Sequence, residues 1–527
     1  MSTNTLVIDG YSLTAETVRS FLETNPRVVL APDAEERVEN AHRQVEKWLR
    51  EGERPVYGIT TGLGKLKDFR VGPDAQELFQ KKILLSHAAG IGEPFDDATV
   101  RLSMLLRLNV LCRGNSGVRV DLLRRLLAFL NAGISPVMPC RGSLGVGDLQ
   151  PMAHLGLALA GEPQGRARLH GEEGTAADLA QKAGLCPTFA FSTREVLAMM
   201  SGSTVLLAHL TVQYFRGRAA VDLADAALAF SLEAVRGERN AFDARMHRAR
   251  NSEEQMRSAE NVRRLLTGSK WTTGEGRARL GETRDRVQDA VSIRSSPQIH
   301  GAVRDVLCYV RTVLEREFNA STDNPLLFPD GCGAYETLSG GNYHGAILAY
   351  CADFLGIVLT DLAAVSERRS GRLLDPTMSY GLPANLAGDE VGLNTGLVLV
   401  QADAIALLGE MRVLATPASI GTIPAKGNQE DHNSMGMGGV LKLRGLLDRL
   451  EWVLGIELTC AAQAHDLLAE KMDGLPMGEG TRTIQHKIRE TVPFMSEDRY
   501  THELICNTKK LVENGSLLES VKPYLSK

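Results

Sequence analysis

Apolar residues along this chain recur mostly at spacings of three and four, and strict apolar/polar alternation is almost absent, so the pattern predicts helices with few strands. Asp33 is placed to cap a helix with apolar positions Val38, Ala41, Val45, Trp48 and Leu49, ended by Glu51-Gly52. Residues 97–132 read as helical segments broken at Arg113-Gly114-Asn115-Ser116-Gly117. Beyond about Ser192, the segments 193–235, 283–318, 344–374, 390–416 and 436–471 are long, apolar and helix-periodic, with short Gly/Pro/Asn connections. Helices apolar around much of their circumference need partners on several sides, which predicts an all-α fold, a large helical bundle shared between copies of the chain. The change of character divides the chain into residues 1–200, mixed loops and helices, and residues 201–527, a long-helix bundle with a C-terminal helical region. The most polar stretch, 236–281, reads as a surface excursion without chemistry.

Composition narrows the function classes. A net charge of −5 offers no general field for nucleic acid or an anionic membrane. No uninterrupted apolar run of membrane-spanning length stands out, and Met1–Gly10 lacks a basic segment followed by an apolar one, so a cytoplasmic protein without membrane contact is expected. The eight Cys are scattered, with no CxxC pair and no His at metal-ligand spacing; reduced thiols and no metal are the expectation.

Several loops concentrate Gly, Asn, Tyr, His, Arg and Glu between apolar helices, the usual setting for sites. The Gly-rich stretch Tyr57-Gly58-Ile59-Thr60-Thr61-Gly62-Leu63-Gly64 has neither Rossmann nor P-loop spacing. Taken singly it reads as a tight turn, His87 as a core or helix-end histidine, Arg294 as an ion-pair residue and Glu430-Asp431-His432 as a solvated turn.

Their order and wording, however, resemble one family: the histidine/phenylalanine ammonia-lyases and related aminomutases. The 57–64 stretch is similar to that family's Tyr loop, and Ser86-His87-Ala88-Ala89-Gly90 to its next motif in histidine ammonia-lyases. Ser143-Leu144-Gly145-Val146-Gly147-Asp148 resembles the cofactor-forming loop. Gln288-Asp289 with Arg294, Thr322-Asp323-Asn324-Pro325, Gly341-Asn342-Tyr343-His344, Ser366-Glu367-Arg368-Arg369 and Asn428-Gln429-Glu430-Asp431-His432 continue the match in family order. The resemblance implies the all-α ammonia-lyase fold and a homotetramer whose active sites are shared between subunits. It implies Tyr57 and Glu430 as catalytic acid/base groups and Arg294 as a bidentate clamp for a carboxylate. It places His87, Gln288, Asn324, Tyr343 and Ser201 at the substrate.

One departure stands out. The family builds its electrophile, a methylidene-imidazolone (MIO) group, by cyclising an Ala-Ser-Gly segment, with the Ser side chain leaving as water. Here Gly145-Val146-Gly147 occupies that loop, one residue shorter and without the β-hydroxyl. Ser201-Gly202-Ser203 replaces an Asn-Gly-Thr motif, and Val291 stands where a Tyr is usual. The expectation from these residues is an enzyme without MIO and with no other cofactor. It would bind a small carboxylate-bearing, amino-acid-derived substrate and use Tyr57 and Glu430 for elimination, isomerisation, cyclisation or hydrolysis. An amino-acid ammonia-lyase working by another route and a non-catalytic binding or assembly protein are the alternatives.

Overall fold

The computed structural model describes residues 5–51, 55–282, 286–331 and 334–526. Gly52 and Cys332 lie outside them. Among the described residues the chain is helical, with four small sheets of two or three short strands, and it divides into two compact units.

The first unit comprises Met1–Gln213, Val310–Asp353 and Pro417–Leu441. Its centre is the helix Asp97–Cys112, buried on nearly every face and opened by Asp96, whose carboxylate accepts from Thr99 N at 2.7 Å. The chain leaves that helix through the predicted Gly114–Gly117 break and resumes as Val120–Ala132. The helix Pro32–Glu51 buries Val38, Ala41 and Val45 as expected. Pro32 opens the helix, since a fixed φ suits its first position, so Asp33 lies inside the first turn instead of capping it and pairs with Arg37 one turn on. Two parallel strands, Thr5–Ile8 and Arg27–Leu30, are tied to Val120–Ala132 by the Asn131 amide, which bonds both Val28 N and Val28 O at 2.9 Å.

The second unit comprises Tyr214–Tyr309, Phe354–Thr416 and Lys442–Lys527. Its long helical stretches enclose polar networks rather than a purely apolar core. Glu457 accepts from Ser231 Oγ (2.7 Å), Ser366 Oγ (2.6 Å) and Arg369 Nε and Nη2 (2.5 and 2.7 Å), all buried. Asp225 accepts from Asn261, and pairs with His300 Nδ1 and Arg304 Nη2 at 2.7 Å each. Such networks are tolerated inside a protein because the carboxylate oxygens are met by donors and opposite charges.

The stretch 236–281 differs from its reading as a surface excursion. Its helix Glu253–Leu265 buries Ala259, Val262 and Leu265, and Asn261 both donates to Asp225 and accepts from Ser526 N at 2.7 Å. Asn261 thus finds partners outside the stretch, which composition alone cannot reveal. Two stretches, Glu195–Ala234 and Ala346–Leu374, are long and apolar enough by length and composition to cross a membrane. Of their most apolar windows, 94% of the first and 56% of the second are buried inside the protein.

Candidate active site

A cavity of about 870 Å³ opens in the first unit, and all of its lining comes from that unit. Tyr57 reaches it from the Gly-rich loop. Gly58 follows with φ 67°, and a Cβ there would lie 2.3 Å from Leu197 Cδ2, so only glycine lets the loop pack this closely. The loop closes on itself through Gly64 N, which donates to Tyr57 Oη at 2.8 Å.

The 143–148 loop forms another wall. Ser143 Oγ donates to Asp148 Oδ1 at 2.6 Å, and Asp148 Oδ2 accepts from Val205 N and Leu206 N at the start of the helix Thr204–Ala234. Gly145 O accepts from Gly345 N (2.8 Å) and Ser434 Oγ (2.9 Å). A Cβ on Gly145 would sit 2.0 Å from Ser434 Oγ, so this loop is pinned from both sides. Val146 and Gly147 reach the cavity; Gly145 lies behind them as an anchor.

Of the other expected residues, His87, Ser201, Asn324, Tyr343 and Glu430 also line the cavity. His87 Nδ1 lies 2.9 Å from Ile83 O. A carbonyl only accepts, so Nδ1 carries the proton and Nε2 is left as an acceptor. Burial pushes the His87 pKa below its ordinary value, and the Lys426 charge adds to that. Burial likewise raises Tyr343, reinforced by the charges of Glu430 and Tyr57, so its phenol stays protonated. Asn324 Oδ1 is occupied by Gly340 N at 2.8 Å. Glu430 Oε1 pairs with Lys426 Nζ at 2.6 Å, while its Oε2 is buried without a hydrogen-bond partner among the described residues.

Gln288 and Arg294 belong to the second unit. Gln288 is exposed, and Arg294 closes the short helix Val291–Arg294, its Nε buried without an acceptor among the described residues. Two groups escaped the sequence reading. Lys426 was detectable as an opposite charge four residues before Glu430. Arg194 carried no signal: it is fully buried with φ 72°, pairs with Asp323 at 2.8 Å, and its charge interacts with Tyr57. Among the described residues no cluster of three His, Cys, Asp or Glu is arranged to hold a metal.

A model of the family described as aromatic amino acid lyase matches residues 13–490. The chain is 40% identical to the histidine ammonia-lyase of Alkaliphilus metalliredigens, over 98% of this chain and 99% of that protein. It is 42% identical to that of Chloroflexus aurantiacus, over 98% of each. Among solved structures, histidine ammonia-lyase from Trypanosoma cruzi superposes with a TM-score of 0.87 at 33% identity, covering 99% of this chain and 96% of that one. The tyrosine aminomutase from Streptomyces globisporus gives 0.89 at 32%, covering 99% of both.

These relatives correct one expectation. Proteins about 40% identical over nearly the whole chain are named histidine ammonia-lyases, an activity that the resemblance ties to the MIO group, so a cofactor-free enzyme is not what the relatives support. At the level of residues, Val146 supplies no hydroxyl, and Ser143 is engaged by Asp148. Mass spectrometry of residues 142–149 reads the loop's chemical state directly, a loss of two waters being the mark of the group.

Proposed function

This chain belongs to the aromatic amino acid lyase family, as an enzyme of its histidine ammonia-lyase branch, and from that premise we propose that it is an amino-acid ammonia-lyase acting on histidine or a histidine-like α-amino acid. The observation that carries this reading is the meeting of Tyr57, His87, Tyr343 and Glu430, distant in sequence, around one cavity.

In the proposed reaction Tyr57 takes the β-proton. The Cβ–H electron pair becomes the second bond between Cα and Cβ, the C–N bond breaks, and ammonia leaves with its electron pair, giving an α,β-unsaturated carboxylate. The Gly64 N–H donates to the Tyr57 oxygen, the contact an oxygen that cycles through a negative charge needs. In this family the MIO group supplies the electrophile that activates the substrate. Here the chain's own residues bind and orient: the protonated Tyr343 phenol is a donor, His87 Nε2 and Glu430 are acceptors, and the apolar Val146 wall favours an uncharged portion of the substrate.

The same proposal includes a homotetramer in which Arg294 of one copy clamps the substrate carboxylate in another. Val291 beside it is exposed, as are Val398, Leu399, Ile405 and Val413 on the helix Val398–Leu414, an apolar surface suited to a second copy. The test is ammonia release with formation of an unsaturated acid from histidine, phenylalanine and tyrosine. Preference for histidine is the expected result; a correctly folded tetramer that releases ammonia from none of the three contradicts it.

A further inference from the structure

Glu430 lies in an irregular stretch, residues 417–435, whose regular structure is one short turn at Lys426–Asn428. The stretch is knit internally by Ala425 N, which donates to Glu430 O at 2.8 Å, and by Asn433. Asn433 N donates to Thr422 Oγ1 at 2.8 Å, and its side chain donates to Ile423 O at 2.6 Å. Lys426, Asn428 and Met435 hold φ of 51°, 64° and 56°, left-handed values that side-chain-bearing residues keep only where the surroundings enforce them. The end of the stretch is pinned to the 143–148 loop, Met435 N donating to Leu144 O at 2.8 Å and Ser434 Oγ to Gly145 O at 2.9 Å.

The segment 341–345 is tied to the same loop. Gly345 N donates to Gly145 O at 2.8 Å, His344 pairs with Val146 in an isolated antiparallel bridge, and Ser203 Oγ donates to Tyr343 O at 2.9 Å. Three segments thus form a triangle, and two imidazoles close its third side. His344 Nε2 lies 3.3 Å from His432 Nδ1, with ring centres 5.4 Å apart and planes inclined by 31°. Among the described residues no other hydrogen bond runs directly between segments 341–345 and 417–435. Burial holds the His344 pKa below its ordinary value, and the His432 charge adds to that, so the ring is neutral at pH 7 and offers one donor and one acceptor. The corners of the triangle carry Val146, Tyr343 and Glu430, all of which line the cavity, and the Glu430 charge acts on the Tyr343 phenol.

We infer that His344 and His432 are positioning residues, a clasp that sets the Tyr343 segment against the Glu430 segment at the cavity. This rests on the lyase reading above for the reaction that the two segments serve. Neither imidazole is among the residues lining the cavity, so the pair acts through its neighbours: Tyr343 precedes His344, and Glu430 stands two residues before His432. Groups that donate, accept or move a proton work only within hydrogen-bond reach, so a small slip between the segments costs rate. His432 is exposed, so cutting the clasp there leaves the core of the unit untouched.

The test compares the full-length protein with His344→Phe, His432→Phe, the double variant, and the variants His344→Gln and His432→Asn, whose amides place a hydrogen-bonding atom where Nε2 and Nδ1 stand. Each Phe variant should lower kcat/KM for histidine by roughly three- to ten-fold, chiefly through kcat, and the double variant should lose no more than either single one. The Gln and Asn variants should stay within about two-fold of wild type. Hydrogen exchange read by mass spectrometry follows the clasp without turnover: His432→Phe should speed exchange in residues 341–345, and His344→Phe in residues 425–433, while the unfolding temperature stays within a few degrees. Should His344→Phe unfold early, the exposed His432 variants carry the comparison. A Phe variant with wild-type turnover, losses that multiply in the double variant, amide variants as impaired as the Phe variants, or exchange unchanged across the pair would each overturn the inference. If wild type releases no ammonia from histidine, the lyase reading fails on its own while the exchange comparison still judges the clasp.

Discussion

Two carboxylates mark the difference between the units. Glu457, in the second, is surrounded by donors from Ser231, Ser366 and Arg369, and nothing about it is left to satisfy. Glu430, in the first, holds one lysine on one oxygen and leaves the other bare. A saturated buried carboxylate is architecture: it fixes the register of the elements that donate to it. Glu430 instead lines the cavity that Tyr57, His87 and Tyr343 also reach, so it belongs to the site. The family-like Ser366-Glu367-Arg368-Arg369 motif falls on the architectural side, since Ser366 and Arg369 both serve Glu457.

The comparison breaks most sharply at Glu457. Glu457→Gln leaves the Arg369 guanidinium buried without its counter-charge and should cost about 3–5 kcal/mol, read as a drop in the denaturant midpoint. If stability is unchanged, the network is not architectural.

His465 sharpens the same point through pH. It is fully buried, stacked on Phe230 at 4.3 Å between ring centres, and burial pushes its pKa down to about 3. The folded protein thus excludes a proton that the unfolded chain accepts near its ordinary value. Its contribution is complete above about pH 6.5 and is lost as pH falls toward 3, at about 1.4 kcal/mol per pH unit inside that window. His465→Phe should flatten this slope; an unaltered slope would assign the acid sensitivity elsewhere.

The smallest expected effect on stability is at the site itself. Glu430→Gln should shift unfolding by no more than about 0.5 kcal/mol, because the pair with Lys426 is partly exposed. The same change should lower kcat/KM by roughly ten-fold or more, measured as ammonia release. A large stability loss without a catalytic one would move Glu430 to the architectural side.

Much of this was legible in the sequence. The 97–132 helices and their break could be read because glycines interrupt an otherwise unbroken apolar pattern, whereas Tyr57 and Glu430 stood out only through the resemblance of their loops to one family. Polar residues that satisfy one another were not legible. Arg194 looks like any surface arginine until Asp323, far along the chain, is folded against it. Asn261 in the polar 236–281 stretch is explained only by Asp225 and the chain's last residues. Periodicity reports which face is apolar and is silent on which charges meet.

The most direct test of the account is turnover of the Tyr57→Phe variant beside wild type, with histidine as substrate and thermal unfolding followed in parallel. The substitution removes the proton acceptor and keeps the ring. The account predicts that kcat falls by roughly a hundred-fold or more while the unfolding temperature stays within a few degrees. Wild-type turnover by Tyr57→Phe would contradict it.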